Sequence, residues 1–75
     1  MRISTAEARK VGNKLGVNWD KVDVNQLKMG IEVEWEHRKV VGNKLTTFAQ
    51  IALAHLKEFP DYYTRLKIVE SKRKL

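Results

Sequence analysis

The sequence contains no cysteine and only one proline among its 75 residues. Without cysteine, no disulfide can stabilise the fold and no thiolate can bind zinc. No apolar run approaches the length of about 18 residues that a membrane-spanning helix needs, and the N-terminal segment lacks the apolar core of a signal peptide. We therefore expect a cytoplasmic protein that makes no contact with a membrane.

The chain is also poor in residues that carry catalysis. It has only two histidines, and no serine stands in the context of a nucleophile. General acid–base catalysis needs a cleft as well as an acid and a base, and three or four short helices rarely enclose one. We therefore expect that the protein is not an enzyme.

The apolar residues recur at helical spacing in four segments, and no segment is a convincing strand. We predict an all-α fold, a compact bundle of three to four short helices. It would form a single domain over residues 1–75, with a basic C-terminal end from about residue 64. The predicted helices span, approximately, residues 5–15, 24–39, 47–59 and 61–72.

Polar residues at the predicted helix starts have the spacing of helix caps. Ser4 with Glu7 predicts a capping box, and Asp23 with Gln26 predicts a second cap of the same kind. Thr47 predicts the start of the third helix. These patterns are local, so they depend little on how the helices pack together.

Four further residues carry predictions about helix ends and packing. Gly16 is placed to end the first helix, and Pro60 to end the third. Adjacent helical residues point about 100° apart, so one of Tyr62 and Tyr63 should be buried and the other exposed, and an exposed Tyr63 would be free to contact a partner.

The formal net charge is +6, and it is distributed unevenly. Residues 64–75 hold five bases and one acid, whereas residues 30–37 hold three glutamates and no base. A basic end favours contact with nucleic acid or with an acidic protein surface, although a solvated terminal helix would have the same composition. The bases that would make the contact are Arg9, Lys10, Lys14, Arg38, Lys39, Lys44, Arg65, Lys67, Lys72, Arg73 and Lys74.

Each histidine has a glutamate three residues away, on the same face of a predicted helix. Glu34 and His37 form one pair, and His55 and Glu58 form the other. Glu-x-x-His is the ligand spacing of carboxylate-bridged metal sites in helix bundles, and two imidazoles with two carboxylates suit Zn, Mn or Fe. With two histidines in total, the chain could build at most one mononuclear metal site.

A buried polar clasp explains the same four residues without a cofactor. A histidine between apolar residues, as His55 is in the predicted third helix, is more often a core residue whose partner is a carboxylate. Pairs between Glu34 and His55, and between His37 and Glu58, would fix the register of the second and third helices. We expect no cofactor, and keep the metal site as the alternative.

Three segments resemble a family of small bacterial and phage proteins, a domain of unknown function. They are residues 15–19, residues 30–37 with the sequence Gly-Ile-Glu-Val-Glu-Trp-Glu-His, and residues 51–66, which include His-Leu-Lys-Glu-Phe-Pro-Asp-Tyr-Tyr. The resemblance covers about residues 5–70 and implies a bacterium or a phage-infected host as the source. Because the family has no assigned activity, the resemblance implies a grouping and no mechanism.

The chain departs from that family in one loop. Relatives carry an acidic or polar loop between the two Glu/His segments, whereas residues 38–44 are basic here. If the family loop helps to hold a cation, this chain has lost that help. We therefore expect a non-catalytic, basic helical binding or accessory protein that contacts nucleic acid or an acidic protein. The alternative is a metal-binding protein, and a homodimer would complete so small a core.

Overall fold

Four helices account for most of the residues that the structure describes. The computed structural model describes residues 2–38 and 44–73, except for the side chains of residues 37 and 70–73. These residues contain no strand, which confirms the predicted all-α bundle. The helices are α1 (Thr5–Lys14), α2 (Val24–Glu34), α3 (Leu45–Glu58) and α4 (Tyr62–Arg73), and a short 3-10 helix (Trp35–His37) follows α2.

The ends of α1 are set by the residues that the sequence predicts. The hydroxyl of Ser4 accepts a hydrogen bond from the Glu7 backbone N–H at 3.0 Å, and the Glu7 carboxylate accepts one from the Ser4 backbone N–H at 3.2 Å. Each bond satisfies a backbone donor that the helix itself leaves unpaired. Gly16 follows the helix with φ of 72°, a backbone conformation that glycine adopts without strain. The predicted capping box and helix end are both confirmed.

The end of α2 and the start of α3 differ from the prediction. The α-helical part of α2 ends at Glu34 and a 3-10 helix follows it, whereas the sequence predicts one helix to about residue 39. Residues 39–43, which include that predicted end and most of the basic loop, lie outside the described residues. Helix α3 begins at Leu45, two residues before the predicted cap, because the carbonyl of Lys44 already accepts hydrogen bonds from the backbone N–H groups of Thr47 and Phe48. The prediction of a cap at Thr47 was therefore wrong.

Proline ends α3 as expected. The last helical residue is Glu58, and Phe59 is extended with φ of −137° and ψ of 107°. The ring of Pro60 excludes the α conformation from the residue before it. The chain then turns, and α4 begins at Tyr62. This short connection places the first turn of α4 against α2.

Helix α2 lies at the centre of the bundle, since it contacts each of the other helices and shares its largest interface with α3. Burial of the apolar side chains that line these interfaces is the main stabilising contribution. The buried hydrophobic residues are Ile3, Ala8, Val11, Leu27, Ile31, Phe48, Ala49, Ala52, Leu56 and Tyr63. Within the described residues, no helix combines the length and the apolar composition that crossing a bilayer requires.

Trp19, in the connection between α1 and α2, packs back onto the bundle. Its ring lies so close to Gly12 that a Cβ built there would approach Trp19 Cη2 to 2.5 Å. The indole N–H donates a hydrogen bond to the side-chain oxygen of Asn13 at 2.8 Å, and the guanidinium of Arg9 lies 5.3 Å from the ring centroid. Trp19 therefore holds the connection against α1 at the buried Gly12.

Candidate functional site

Glu34 and His55, from the two predicted Glu/His pairs, lie side by side. Glu34 is in the last turn of α2 and is only 7% exposed. Its Oε1 accepts a hydrogen bond from the hydroxyl of Tyr63 at 3.1 Å. The same oxygen lies 3.7 Å from Nε2 of His55, within ion-pair range if the imidazole is protonated. The predicted pairing of Glu34 with His55 is present, and a tyrosine from α4 joins it.

Two tyrosines surround the imidazole. The ring of His55 stacks on that of Tyr62, with centroids 4.5 Å apart and planes 7° apart. Tyr63 meets the imidazole edge-on at 6.3 Å. The His55 side chain keeps 38% of its surface exposed, so one edge of this group faces solvent. We call Glu34, His55, Tyr62 and Tyr63 the Glu34 cluster.

The phenol of Tyr63 is held in its neutral form. Burial raises its pKa well above the usual value, and the neighbouring Glu34 raises the pKa further through its charge and the hydrogen bond. A protonated phenol is a hydrogen-bond donor, which is what the Glu34 carboxyl oxygen needs in a buried position. The suggestion that an exposed Tyr63 contacts a partner was wrong: Tyr63 is 1% exposed, and Tyr62 is half-buried.

Gln26, in the first turn of α2, fixes the start of α4. Its side-chain oxygen accepts a hydrogen bond from the backbone N–H of Tyr63 at 3.2 Å, and its side-chain nitrogen donates one to the Thr64 hydroxyl. The predicted cap formed by Asp23 with Gln26 is therefore only half correct. Asp23 does cap α2, by accepting from the Asn25 backbone N–H at 2.7 Å, but Gln26 reaches the other helix.

Gly30 gives Tyr63 the space that it occupies. A Cβ at this position would lie 2.5 Å from Cε2 of Tyr63 and 2.6 Å from Cβ of Ala52. Because the Ala52 Cβ is attached directly to the backbone, it cannot move aside without moving α3. A glycine is required here by a close approach of three helices, although a glycine inside a helix is otherwise unfavourable.

The other two proposed metal ligands are not part of the Glu34 cluster as described. Glu58 is exposed in the last turn of α3, and the side chain of His37 lies outside the described residues. In the part of the chain that the structure describes, no three histidine, aspartate or glutamate side chains form a group that could hold a metal ion. Binding of Zn, Mn or Fe by these residues stays a prediction.

Several of the proposed binding bases meet on one side of the bundle. Arg9, Lys10 and Lys14 are exposed on α1, and Lys44 is exposed just before α3. Lys10, Lys14 and Lys44 line one shallow hollow of about 410 Å³. Lys10 and Lys14 also line an adjacent hollow together with Arg9. We call these four residues the α1 basic surface.

The other predicted binding bases that the structure describes lie away from the α1 basic surface. Arg38 lies over the ring of Trp35, 5.4 Å from its centroid. Arg65 donates through Nε to Asp61 at 2.8 Å, and Lys67 is exposed on α4. Lys39 and Lys74, and the side chains of Lys72 and Arg73, lie outside the described residues. Of the seven predicted bases whose side chains the structure describes, four therefore meet at the α1 basic surface.

The chain belongs to the family described as "Protein of unknown function (DUF5661)", whose model matches residues 8–72. This result confirms the resemblance to a domain of unknown function, while the bacterial or phage origin stays a prediction. No curated protein and no solved structure matches the chain significantly. The family match supplies no activity, so a proposal about function has to rest on the residues themselves.

Proposed function

We propose that this protein is a non-catalytic nucleic-acid-binding module that contacts the phosphate backbone through the α1 basic surface. The observation that carries the proposal is the shared hollow around Lys10, Lys14 and Lys44, which brings together the side chains of three exposed lysines from two separate segments. The net charge of +6 supports it, because a basic protein attracts a polyanion over long range.

One acidic group offsets part of this charge. Glu7 also lines the hollow, where its carboxylate accepts hydrogen bonds from the Ser4 backbone N–H and the Ser4 hydroxyl, each at 3.2 Å. A single negative charge therefore lies beside three lysines. Lysines bind phosphate as flexible point charges without bidentate geometry. We therefore expect binding that depends on charge and hardly at all on base sequence.

Electrostatic binding of this kind has a characteristic salt dependence. Each neutralised phosphate releases condensed counterions, so four contacts predict a slope of log K against log salt of about −3.6 for duplex DNA. That slope corresponds to a loss of about 150-fold in affinity between about 50 and 200 mM salt. The measurement is fluorescence anisotropy with labelled duplex DNA and with labelled single-stranded RNA.

Two exposed lysines at opposite ends of α3 provide a matched test. Lys44 precedes the first residue of α3 and belongs to the α1 basic surface, whereas Lys57 is exposed in the last turn of that helix. Lys44→Ala should weaken binding at least about 3-fold, and Lys57→Ala, which removes the same charge, should weaken it much less.

Four results would reject the proposal. One is no binding at low salt, and another is binding that is insensitive to salt. A third is equal losses from Lys44→Ala and Lys57→Ala, since that would assign the attraction to net charge alone. If polyglutamate displaces the nucleic acid at equal charge concentration, the surface recognises acidic polypeptides as readily, and a nucleic-acid function is not supported.

A further inference from the structure

Another hollow adjoins the α1 basic surface, and a tryptophan lines it. It measures about 590 Å³ and lies between the connection that joins α1 to α2 and the turn that precedes α4. Sites for small ligands commonly have volumes of about 300–1,000 Å³. Its lining includes Arg9, Trp19 and Pro60, and we call it the Trp19 hollow. Arg9 also lines the hollow that holds Lys10 and Lys14, so the two regions share one side chain.

The planar groups of Arg9 and Trp19 lie together at one wall of the Trp19 hollow. The guanidinium is 5.3 Å from the centroid of the indole ring. The indole N–H donates to the side-chain oxygen of Asn13, which fixes the orientation of the ring. Aromatic rings and guanidinium planes are the groups on which proteins stack unpaired nucleobases. This wall therefore offers a stacking surface directly beside the lysines of the α1 basic surface.

Gln26 ties the two sides of the Trp19 hollow together. Its side chain lines the hollow from α2, and it bonds to the backbone N–H of Tyr63 and to the hydroxyl of Thr64 at the start of α4. These bonds hold the start of α2 and the start of α4 in a fixed relation. A site whose sides are already in place loses little conformational entropy when a ligand enters.

Carboxylates supply the polar part of the lining. Asp20, Asp23 and Asp61 are exposed there. Asp23 and Asp61 each use Oδ1, for the backbone N–H of Asn25 and for Nε of Arg65, and a carboxylate can accept hydrogen bonds on both of its oxygens. An unpaired nucleobase presents N–H donors on its Watson–Crick edge, whereas a duplex uses those donors for pairing. The carboxylates also repel phosphate, which keeps the backbone of a strand on the lysines.

We propose that the Trp19 hollow receives one unpaired base of a single-stranded nucleic acid whose phosphates lie on the α1 basic surface. The inference rests on the proposed function and adds to it a preference for single strands over duplexes. The base stacks on the wall formed by Arg9 and Trp19, and its N–H groups donate to the carboxylates. Stacking tolerates every base, so the preference is for an unpaired base and not for one sequence.

A cationic side chain of a partner protein fits the Trp19 hollow less well. It would meet the carboxylates, but it would also meet Arg9 and Lys21, which line the same hollow. A basic peptide would in addition lie beside the α1 basic surface, where like charges repel. A neutral base carried by a negatively charged strand has neither disadvantage.

The test compares ligands that have the same backbone charge with and without bases. They are single-stranded oligo(dT) of about eight nucleotides, which is within the usual site size, and an abasic deoxyribose-phosphate chain of the same length. The full chain should bind oligo(dT) at least about 5-fold more tightly than the abasic chain, because only oligo(dT) has a base to stack. Competition against a labelled oligonucleotide, followed by anisotropy, measures both affinities.

The two tryptophans provide matched variants. Each has an arginine over its ring, Arg9 over Trp19 and Arg38 over Trp35, but Trp35 lines a different hollow, together with Arg38 and Lys67. Trp35→Phe leaves Trp19 as the sole tryptophan, and Trp19→Phe leaves Trp35. Oligo(dT) should quench the emission of Trp19 at least about 3-fold more than that of Trp35, because a stacked base quenches the ring that it covers.

Trp19→Phe should also weaken the binding of oligo(dT) at least about 3-fold, while its affinity for the abasic chain stays within about 2-fold. Circular dichroism checks that the variant is folded. If Trp19→Phe does not fold, the quenching of Trp19 in the Trp35→Phe protein decides the question, because that protein keeps the Trp19 hollow unchanged.

Equal affinities for oligo(dT) and the abasic chain would overturn the proposal, and so would equal quenching of the two tryptophans. Quenching of Trp19 by duplex DNA as strong as that by oligo(dT) would show that the hollow does not select an unpaired base. Quenching by oligolysine of the same strength would assign the hollow to a cationic side chain. In all these cases salt-dependent binding of duplex DNA would still support the proposed function, whereas loss of all nucleic-acid binding at low salt would reject both proposals.

Discussion

The Glu34 cluster and the α1 basic surface are both rich in polar side chains, but they differ in what those side chains contact. Glu34 is 7% exposed, and its carboxyl oxygen accepts a hydrogen bond from the hydroxyl of Tyr63. Lys10, Lys14 and Lys44 are exposed to solvent. Buried polar groups that satisfy one another fix the packing of helices, whereas exposed charge is available to a partner. We infer that the first region serves stability and that the second serves binding.

The largest expected effect comes from removing the Tyr63 ring. Tyr63→Ala would leave a cavity beside Gly30 and a buried Glu34 carboxyl without its donor, so we expect a loss of about 3–5 kcal/mol in the free energy of unfolding. Tyr62→Ala, at the neighbouring half-buried position, should cost about 1 kcal/mol. Urea unfolding, monitored by circular dichroism, measures both losses. Equal losses would contradict the assignment of Tyr63 as buried and Tyr62 as half-buried.

The next effect tests the close approach at Gly30. Helix propensity alone predicts that Gly30→Ala stabilises α2 by up to about 1 kcal/mol. The contacts with Tyr63 and Ala52 predict the opposite sign, a net loss of about 1–3 kcal/mol from overpacking. Gly30→Val should lose more than Gly30→Ala. An increase in the unfolding midpoint of Gly30→Ala would show that the space around Gly30 is larger than the contacts imply.

A smaller effect is a loss of stability at alkaline pH. The pKa of Tyr63 is raised in the folded state, so above the ordinary tyrosine pKa of about 10 the unfolded chain releases a proton that the folded chain keeps. The contribution of the neutral Tyr63 phenol to the free energy of unfolding is therefore fully present below about pH 10. It is lost as pH rises above that value, by up to about 1.4 kcal/mol per pH unit.

Tyr63→Phe isolates that contribution from the titration of lysines. The variant should be less stable than the unmodified chain at neutral pH, because it lacks the bond to Glu34, and the difference should shrink between about pH 10 and pH 11.5. Urea unfolding at several pH values measures the difference. A difference that stays constant across this range would mean that the Tyr63 phenol ionises as easily in the folded chain as in the unfolded one.

The smallest expected change in stability comes from the α1 basic surface. Lys10→Ala and Lys14→Ala each replace an exposed side chain by a better helix former, so we expect changes within about 0.5 kcal/mol. Their effect should appear in nucleic-acid affinity instead. A large loss of stability in either variant would place these lysines with the residues that hold the fold together.

The sequence predicts best the features that depend on neighbouring residues. The capping box of Ser4 and Glu7, the helix end at Gly16 and the end of α3 before Pro60 all follow from local geometry. The meeting of Glu34 with His55 was also predicted, from the Glu/His spacing on two neighbouring helices and from the apolar residues around His55. The predicted start of α3 at Thr47 was wrong by two residues, since a threonine inside a first turn looks in sequence like a cap.

The residues that could not be predicted depend on the angle at which α4 meets α2. The sequence indicates that one of Tyr62 and Tyr63 is buried, but the choice between them follows from the docking of the helix. Gln26 matches a local capping pattern, and nothing in the sequence shows that it reaches Thr64, 38 residues later. The crowding at Gly30 follows from the same docking, since two of the three atoms nearest to a Cβ built there belong to the Tyr63 ring and the third is Cβ of Ala52.

The most direct test compares two variants in two measurements. Tyr63→Phe and the triple variant Lys10→Ala, Lys14→Ala, Lys44→Ala are each measured for urea unfolding and for duplex DNA binding as a function of salt. We predict that Tyr63→Phe loses stability and keeps the salt slope, and that the triple variant keeps its stability while its slope becomes shallower by about 3. A triple variant with an unchanged slope would contradict the assignment of binding to the α1 basic surface.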